Sequence, residues 1–284
     1  MSIKKVFVAG SGAMGSGIVQ SCAQAGYSVK IMDMDESAVK KALAGIEWSL
    51  KKLEEKNRFK EAWQDILLRI EHASSLSEAG DADMVIEAIF ENLEPKQRLF
   101  ADLEAVCPGH TIFSTNTSSI PVTEIASAVR TPERVVGIHF FNPVHRMKLV
   151  EVVKGLLTSE ETVSMAAEFA RTLGKEPVVV NRDSAGFIVN RINGMAFLEA
   201  LRLVEKGIAE AEDIDKAVRL GLGHPMGPFE LMDMVGLDIV LNARMGVYNE
   251  TRDLNHFPPN ILRRMVKAGR LGRKTGKGFY DYSE

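Results

Sequence analysis

The stretch VFVAGSGAMGSG, residues 6–17, decides the fold because it joins a strand pattern to a helix pattern through a glycine-rich turn. Its glycines follow the spacing G-x-G-x-x-G. In such a turn the first glycine permits the bend, the second lets the backbone approach a pyrophosphate, and the third lets the helix pack on the sheet. The helix N-terminus also offers unpaired N–H groups to phosphates. We therefore predict a dinucleotide site at Gly10, Gly12, Ala13, Met14 and Gly15, with a turn that binds no ligand as the alternative.

Asp33 ends the second strand pattern, SVKIMD (28–33), and follows Gly15 by 18 residues. A carboxylate at this place can accept hydrogen bonds from both ribose hydroxyls and repels a 2′-phosphate, so it favours NAD over NADP. The flavin-binding version of the turn remains an alternative, although the rest of the chain leaves little room for the further module of a flavin enzyme. A surface aspartate without a ligand is the other alternative.

Strand and helix patterns alternate through the first two thirds of the chain. The strand patterns cover residues 4–9, 28–33, 84–90, 111–115 and 135–141, and the helical patterns cover 14–25, 36–68 (with a break near Asn57) and 95–106. This alternation predicts a doubly wound, mostly parallel sheet. After about residue 183 helical patterns dominate. We therefore predict an α/β domain over residues 1–184 and a mainly helical C-terminal domain over 185–284.

Composition narrows the class of protein. The chain has 284 residues, 45% of them hydrophobic and 26% charged, with a net charge of -3 and no long block of one sign, so nucleic acid is not an expected partner. No apolar run approaches the ~20 residues that span a bilayer, so no membrane partner is expected. A strand pattern begins at once, and we expect no signal peptide. Cys22 and Cys107 lack zinc or redox spacing, which favours reduced thiols in a cytoplasmic protein without a metal site.

A histidine and a glutamate flank one loop. The patterns VVGIHFF (135–141) and KLVEVV (148–153) enclose NPVHRM (142–147). His139 and Glu151 lie 12 residues apart with their midpoint at His145, so antiparallel strands would bring them nearly opposite each other. A carboxylate fixes the tautomer of an imidazole and stabilises its charged form, as general acid–base chemistry at an alcohol requires. A purely structural hydrogen bond is the alternative. We expect His145, within the loop, to be exposed.

Two further polar segments are candidates for substrate contacts. STNTSSIP (114–121) follows a strand, where a parallel sheet opens toward ligands, so Asn116 and Ser118 could donate to a substrate carbonyl or to a nicotinamide. A turn that caps the next helix explains these residues equally well. Asn190 lies inside an apolar helix pattern over 186–207, where a buried amide requires partners.

Together these motifs resemble the L-3-hydroxyacyl-CoA dehydrogenase family, and within it the short bacterial 3-hydroxybutyryl-CoA type. The matching segments span nearly the whole chain in the order of the family: VAGSGAMGSGI (8–18), VIEAIFENLEPKQRLF (85–100), STNTSSI (114–120), GIHFFNPVHRMKLVEVV (137–153), DSAGFIVNRI (183–192), GLGHPMGPFELMDMVGLD (221–238) and LGRKTGKGFYDY (271–282). The resemblance implies a Rossmann-type domain, a helical dimerisation domain, NAD as cofactor, a 3-hydroxyacyl-CoA substrate of lipid metabolism and a homodimer.

The resemblance also implies residue roles. His139 matches the catalytic base and Glu151 the residue that orients it. Ser118 and Asn190 match residues near the 3-oxygen of the substrate, and the residue that Ser118 matches also lies near the nicotinamide. Further positions match cofactor-side residues, namely Glu91, Lys96, Asn142 and Lys274, or contacts with CoA, namely Ser49 and Lys56. From the residues alone, the lysines around Lys56 could equally form a solvated helix face.

Two segments depart from the family. His145 and Arg146 stand where the family has small residues, and FIVNRINGMAF (187–197) lacks the usual branched apolar residues after its arginine. Acyl-chain preference and the shape of the entrance therefore stay open. A dehydrogenase of hydroxy acids or sugar acids without CoA remains the first alternative. A non-catalytic NADH sensor is the second, although the sequence shows no DNA-reading helix of the kind that a sensor uses.

Overall fold

The computed structural model of the protein describes residues 3–59 and 61–283. The chain divides into two compact units, Met1–Asp183 and Ser184–Glu284. The first unit is built on a sheet and the second on helices, as the change of pattern near residue 183 predicts.

Eight strands form one sheet in the first unit: β1 (Lys5–Ala9), β2 (Ser28–Met32), β3 (Ile70–His72), β4 (Met84–Glu87), β5 (Ile112–Thr115), β6 (Val135–Phe140), β7 (Leu149–Val153) and β8 (Glu176–Val180). Their order is β3-β2-β1-β4-β5-β6-β7-β8. All neighbouring pairs are parallel except β6 and β7, which are antiparallel. The chain therefore starts inside the sheet and winds outward in both directions, which confirms the predicted doubly wound topology.

The described residues of this unit form six α-helices: α1 (Ala13–Gln24), α2 (Glu36–Glu55), α3 (Trp63–Leu67), α4 (Leu93–Val106), α5 (Val122–Ala126) and α6 (Glu160–Thr172). Consecutive residues of β1, Val6, Phe7 and Val8, are at most 2% exposed. Because successive side chains of a strand point to opposite faces, both faces of the sheet must be covered. This burial explains why the strands appear in the sequence as continuous apolar runs rather than as alternating ones.

The predicted break in the long helical stretch is confirmed at Asn57, whose φ of 51° lies in the left-handed region. Two strands, β3 and β8, were not predicted. β3 has three residues and two of them are exposed. β8 is the last strand of the sheet, and its Val178 and Val179 are each 42% exposed, so its run of valines is not that of a buried central strand.

The second unit contains α7 (Val189–Glu205), α8 (Ala211–Leu222), α9 (Pro228–Val235), α10 (Leu237–Thr251) and α11 (Asn260–Lys267). α7 begins three residues later than its pattern predicts, because Gly186 and Phe187 adopt positive φ values of 79° and 43°. The core of this unit includes Leu198, Phe229 and Leu262, none of which is measurably exposed.

In the part of the chain that the structure describes, no helix combines the length and the apolarity needed to cross a membrane. Among residues 3–59 and 61–283, no three His, Cys, Asp or Glu side chains are grouped so as to hold a metal ion. Cys22 and Cys107 are free thiols. Burial raises the pKa of both, that of Cys107 to about 11, so neither ionises readily near neutral pH.

Candidate active site

The glycine turn connects β1 to α1. Gly10 has a φ of +109°, and a Cβ on it would lie 2.4 Å from the carbonyl oxygen of Ala88. A Cβ on Gly15 would lie 2.0 Å from the carbonyl oxygen of Gly10. A Cβ on Gly12, in contrast, would meet no protein atom within 4 Å. Two of the glycines therefore serve the packing of the turn itself, and the third leaves backbone facing open space.

The first turn of α1 is suited to an anion. Its N-cap residue is Gly12, and no side chain caps the helix. The N–H groups of Ala13, Met14 and Gly15 lie in the first turn, where a helix has no carbonyl partners for them. A helix start of this kind binds phosphate groups. The residues present therefore fit the pyrophosphate of a dinucleotide.

Asp33 directly follows β2 and lies beside the turn. Its Oδ2 accepts hydrogen bonds of 2.8 Å from both the backbone N–H and the hydroxyl of Ser11, and its Oδ1 accepts one of 3.2 Å from the backbone N–H of Asp35. Burial acts to raise the pKa of Asp33, but these hydrogen bonds hold it below its ordinary value. The side chain is therefore a carboxylate at neutral pH, as a ribose partner that repels a 2′-phosphate must be.

His139 and Glu151 are paired across β6 and β7, directly opposite each other in the register of the two strands. Nδ1 of His139 lies 2.7 Å from Oε2 of Glu151. His139 is 5% exposed and Glu151 is not measurably exposed. The ring centroids of His139 and Phe141 lie 4.6 Å apart. A carboxylate beside Nδ1 fixes the tautomer of an imidazole, and the buried setting strengthens the electrostatic interaction between the two groups. As predicted, His145 is exposed.

The loop after β5 is held by one carboxylate. Oε1 of Glu91 accepts hydrogen bonds from the hydroxyl of Thr117 and from the backbone N–H groups of Ser118 and Ser119. Oδ1 of Asn116 accepts a 2.9 Å hydrogen bond from the backbone N–H of Phe140. Asn116 thus ties the loop to β6, and both Asn116 and Ser118 are partly exposed.

Comparison with known proteins covers both units. The model of the 3-hydroxyacyl-CoA dehydrogenase NAD binding domain matches residues 5–184, and the model of the 3-hydroxyacyl-CoA dehydrogenase C-terminal domain matches residues 186–282. The chain belongs to the 3-hydroxyacyl-CoA dehydrogenase family. It is thus an NAD-dependent oxidoreductase, and the resemblance that its sequence motifs indicate is confirmed.

Individual relatives of this family match over their whole length. A probable 3-hydroxybutyryl-CoA dehydrogenase of Bacillus subtilis (strain 168) is 45% identical, over 100% of this chain and 99% of the relative. The 3-hydroxybutyryl-CoA dehydrogenase of Clostridioides difficile is 42% identical, over 99% and 100% of the two chains. Among solved structures, (S)-3-hydroxybutyryl-CoA dehydrogenase from Ralstonia eutropha superposes with a TM-score of 0.96 at 40% identity, and the match covers all of both chains.

Lys96, which the family resemblance puts on the cofactor side, is 1% exposed. Its Nζ lies 2.5 Å from Oε1 of Glu87 and 3.2 Å from Oε2 of Glu91. Glu87, which ends β4 and is not measurably exposed, was not predicted as a site residue. The only hint in the sequence is a carboxylate within an apolar strand pattern, because a buried acid requires a partner.

Asn142 is exposed at the start of the loop between β6 and β7. This loop is held from outside the hairpin by Lys175, which is 8% exposed and was not predicted. The ammonium of Lys175 donates to the carbonyl oxygens of Val144 and Met147. Burial lowers the pKa of Lys175.

Two predicted residues lie in the second unit. Asn190 is partly exposed in the first turn of α7, rather than buried inside the helix as the apolar pattern predicts. Its backbone carbonyl oxygen accepts a 2.9 Å hydrogen bond from the guanidinium of Arg244. Lys274 forms an ion pair of 2.5 Å with Asp238 and is 42% exposed.

The predicted CoA contacts lie on or beside α2. Ser49 is partly exposed near the end of this helix, and Lys56, its C-cap residue, is exposed. Lys51 and Lys52 on the same helix pair with Glu47 and Glu55. These two pairs are typical of a solvated helix face, which is the alternative that the sequence leaves open for these lysines.

Proposed function

We propose that the chain interconverts L-3-hydroxyacyl-CoA and 3-ketoacyl-CoA with NAD, and that 3-hydroxybutyryl-CoA and acetoacetyl-CoA are its substrates. The observation that carries this proposal is the buried pair of His139 and Glu151, with 2.7 Å between Nδ1 and Oε2, in a unit whose glycine turn fits a dinucleotide. The names of the full-length relatives support the short acyl chain.

In the proposed reaction His139 acts as the general base. Nε2 accepts the proton of the 3-hydroxyl group, and the carboxylate of Glu151 stabilises the imidazolium that results. NAD, when bound, accepts a hydride from C3. In the opposite direction the imidazolium of His139 returns the proton to the 3-oxygen of the ketone. The alcohol thus loses a proton to His139 and a hydride to NAD, and the products are the ketone and NADH.

Further residues bind and orient the reactants in this proposal. Gly10, Gly12, Ala13, Met14 and Gly15 hold the pyrophosphate, and Asp33 holds the ribose. The hydroxyl of Ser118 and the amide of Asn190 hydrogen-bond to the 3-oxygen of the substrate, which fixes the reacting carbon. By their match to residues of the family, we also propose that Glu91, Lys96, Asn142 and Lys274 contact the cofactor. Ser49 and Lys56 contact CoA in the same proposal.

We assign NAD binding to residues 1–184, and substrate binding and dimerisation to residues 185–284. Large apolar side chains of the second unit support a homodimer, since Ile192, Leu220, Leu222 and Ile239 are 69%, 78%, 69% and 52% exposed. Light scattering after gel filtration should give twice the chain mass of 31.3 kDa. Two free thiols support a cytoplasmic location.

The deciding experiment is NADH oxidation by the purified chain with acetoacetyl-CoA, compared with free acetoacetate and with longer 3-ketoacyl-CoA thioesters. We expect turnover of acetoacetyl-CoA and at least about tenfold lower kcat/KM for free acetoacetate, because CoA binding would be lost. Equal kcat/KM values would instead favour a dehydrogenase of free hydroxy acids. NADH binding without turnover of any of these compounds would favour a sensor.

A further inference from the structure

Three charged side chains meet where β4 ends. The ammonium of Lys96 lies 2.5 Å from a carboxylate oxygen of Glu87 and 3.2 Å from one of Glu91. The side chains of Glu87 and Lys96 are 0% and 1% exposed, and that of Glu91 is 35% exposed. Two carboxylates share one ammonium, so this acidic triad has a formal charge of -1.

Glu87 is fixed at both of its oxygens. Oε1 accepts a 2.8 Å hydrogen bond from the backbone N–H of Ile89 as well as the contact from Lys96, and Oε2 accepts a 2.7 Å hydrogen bond from the hydroxyl of Thr115. A buried carboxylate with this many donors is held in one position. Glu87 therefore fixes the ammonium of Lys96.

Glu91 extends the triad to the loop that carries Ser118. One of its oxygens contacts Lys96, and the other accepts hydrogen bonds from Thr117, Ser118 and Ser119. Burial acts to raise the pKa of Glu91, but Lys96 and the hydroxyl donors hold it below its ordinary value. The carboxylate of Glu91 thus links the triad to the backbone of Ser118 through a 3.0 Å hydrogen bond.

We propose that Glu87 is a positioning residue that acts through Lys96 and Glu91, and that the net negative charge it gives the triad strengthens binding of NAD⁺ relative to NADH. This inference rests on the proposed function, in which Ser118 holds the 3-oxygen of the substrate whose C3 gives its hydride to the nicotinamide. The nicotinamide ring is cationic when oxidised and neutral when reduced. A nearby excess of negative charge favours the cationic form, and more strongly in a partly desolvated site than in water.

The test is Glu87→Gln, which keeps the shape of the side chain and removes its charge. We expect the Kd of NAD⁺, measured by calorimetry on the full chain, to rise about tenfold while the Kd of NADH changes less than about threefold. Glu87→Asp keeps the charge and should leave the ratio of the two Kd values near that of the wild type, even where both affinities fall. An unchanged ratio in Glu87→Gln would overturn the proposal, because a purely structural role weakens both forms alike.

Glu104→Gln is the matched control. Glu104 is also a carboxylate that holds a loop of the first unit. It accepts hydrogen bonds from the backbone N–H groups of Arg130 and Thr131, and these two residues do not belong to the triad. The variant should lower the melting temperature and leave the Kd ratio unchanged. A shift of the ratio in this control as large as in Glu87→Gln would also overturn the proposal.

If Glu87→Gln does not fold, Glu91→Gln removes one charge from the same triad, and an unchanged Kd ratio in that variant overturns the inference.

Two outcomes separate this inference from the proposed function. Wild-type turnover of acetoacetyl-CoA together with an unchanged ratio refutes the charge effect alone. Absence of wild-type turnover refutes the proposed function, whereas the binding ratio is still measured.

Discussion

Replacement of His139 by glutamine should lower kcat for acetoacetyl-CoA by ~10²-fold or more, which is the usual contribution of a general acid or base. Glutamine fills a similar volume and keeps a hydrogen-bonding group opposite Glu151, but it cannot carry the proton. The measurement is NADH oxidation at saturating acetoacetyl-CoA. His145→Gln is the matched control, because His145 is exposed in the loop of the same hairpin, and its kcat should stay within about twofold of the wild type.

The size of the Glu151 effect follows from its contact with His139. A hydrogen bond to a charged group contributes ~1.5–3 kcal/mol, and this one is 2.7 Å long between side chains that are 7% and 1% exposed. If ~3 kcal/mol of imidazolium stabilisation is lost, the rate falls about 10²-fold. Glu151→Gln keeps the side-chain shape, so it should lower kcat by about this factor without a comparable change in KM.

The double variant tests whether the two residues act as one unit. If Glu151 acts only through His139, adding Glu151→Gln to His139→Gln should slow the reaction no further, because residues that act together are not additive. Two results would refute the reasoning: a His139→Gln enzyme within about tenfold of wild-type kcat, or a double variant whose loss equals the product of the single losses.

Three other predictions concern substitutions of single residues. Asp33→Ser should reduce the preference for NADH over NADPH by about tenfold, measured as a ratio of kcat/KM values, and an unaltered ratio would remove Asp33 as the ribose partner. Gly12→Ala should leave the melting temperature within a few degrees and weaken NADH binding at least about tenfold, whereas Gly15→Ala, whose Cβ meets the carbonyl of Gly10, should lower the melting temperature. Burial acts to raise the pKa of Glu104, but hydrogen bonds hold it below its ordinary value. Its carboxylate therefore stabilises the folded state above the unfolded pKa, and this contribution disappears as pH falls. The free energy of unfolding of Glu104→Gln should fall less than that of the wild type between pH 7 and pH 3, and an equal fall would contradict a lowered pKa.

The elements that could be predicted from sequence are those with local signals. The glycine turn lies within one short segment, and Gly10 and Gly15 have the steric reasons that the spacing already indicates, while Gly12 faces open space. The pairing of His139 with Glu151 also followed from local information, because a hairpin with its midpoint at residue 145 fixes which residues lie opposite each other. A one-residue change in that register would have placed the two side chains on different faces.

The features that were missed depend on contacts between distant segments. Lys175 holds carbonyl groups about 30 residues earlier in the chain, at Val144 and Met147, and nothing in its own neighbourhood indicates this. Glu87 and Lys96 are nine residues apart across a strand and a helix. In the sequence Lys96 has the pattern of an ordinary cation of an amphipathic helix, and only the packing of α4 against the sheet shows that it is buried.

The antiparallel pair in an otherwise parallel sheet explains why the site lies where it does. Parallel strands bring their carboxyl ends to one edge, which collects the glycine turn after β1, Asp33 after β2, Glu87 at the end of β4 and the Ser118 loop after β5. His139 is next to last in β6, so it lies at the same edge. Had another parallel strand followed, its first residues would lie at the far edge. Because β7 returns directly through a hairpin, Glu151, the third of its five residues, lies opposite His139. The reversal of one strand thus places Glu151 beside His139 within the same unit, whereas in a parallel β7 such a partner would have to come from the end of that strand.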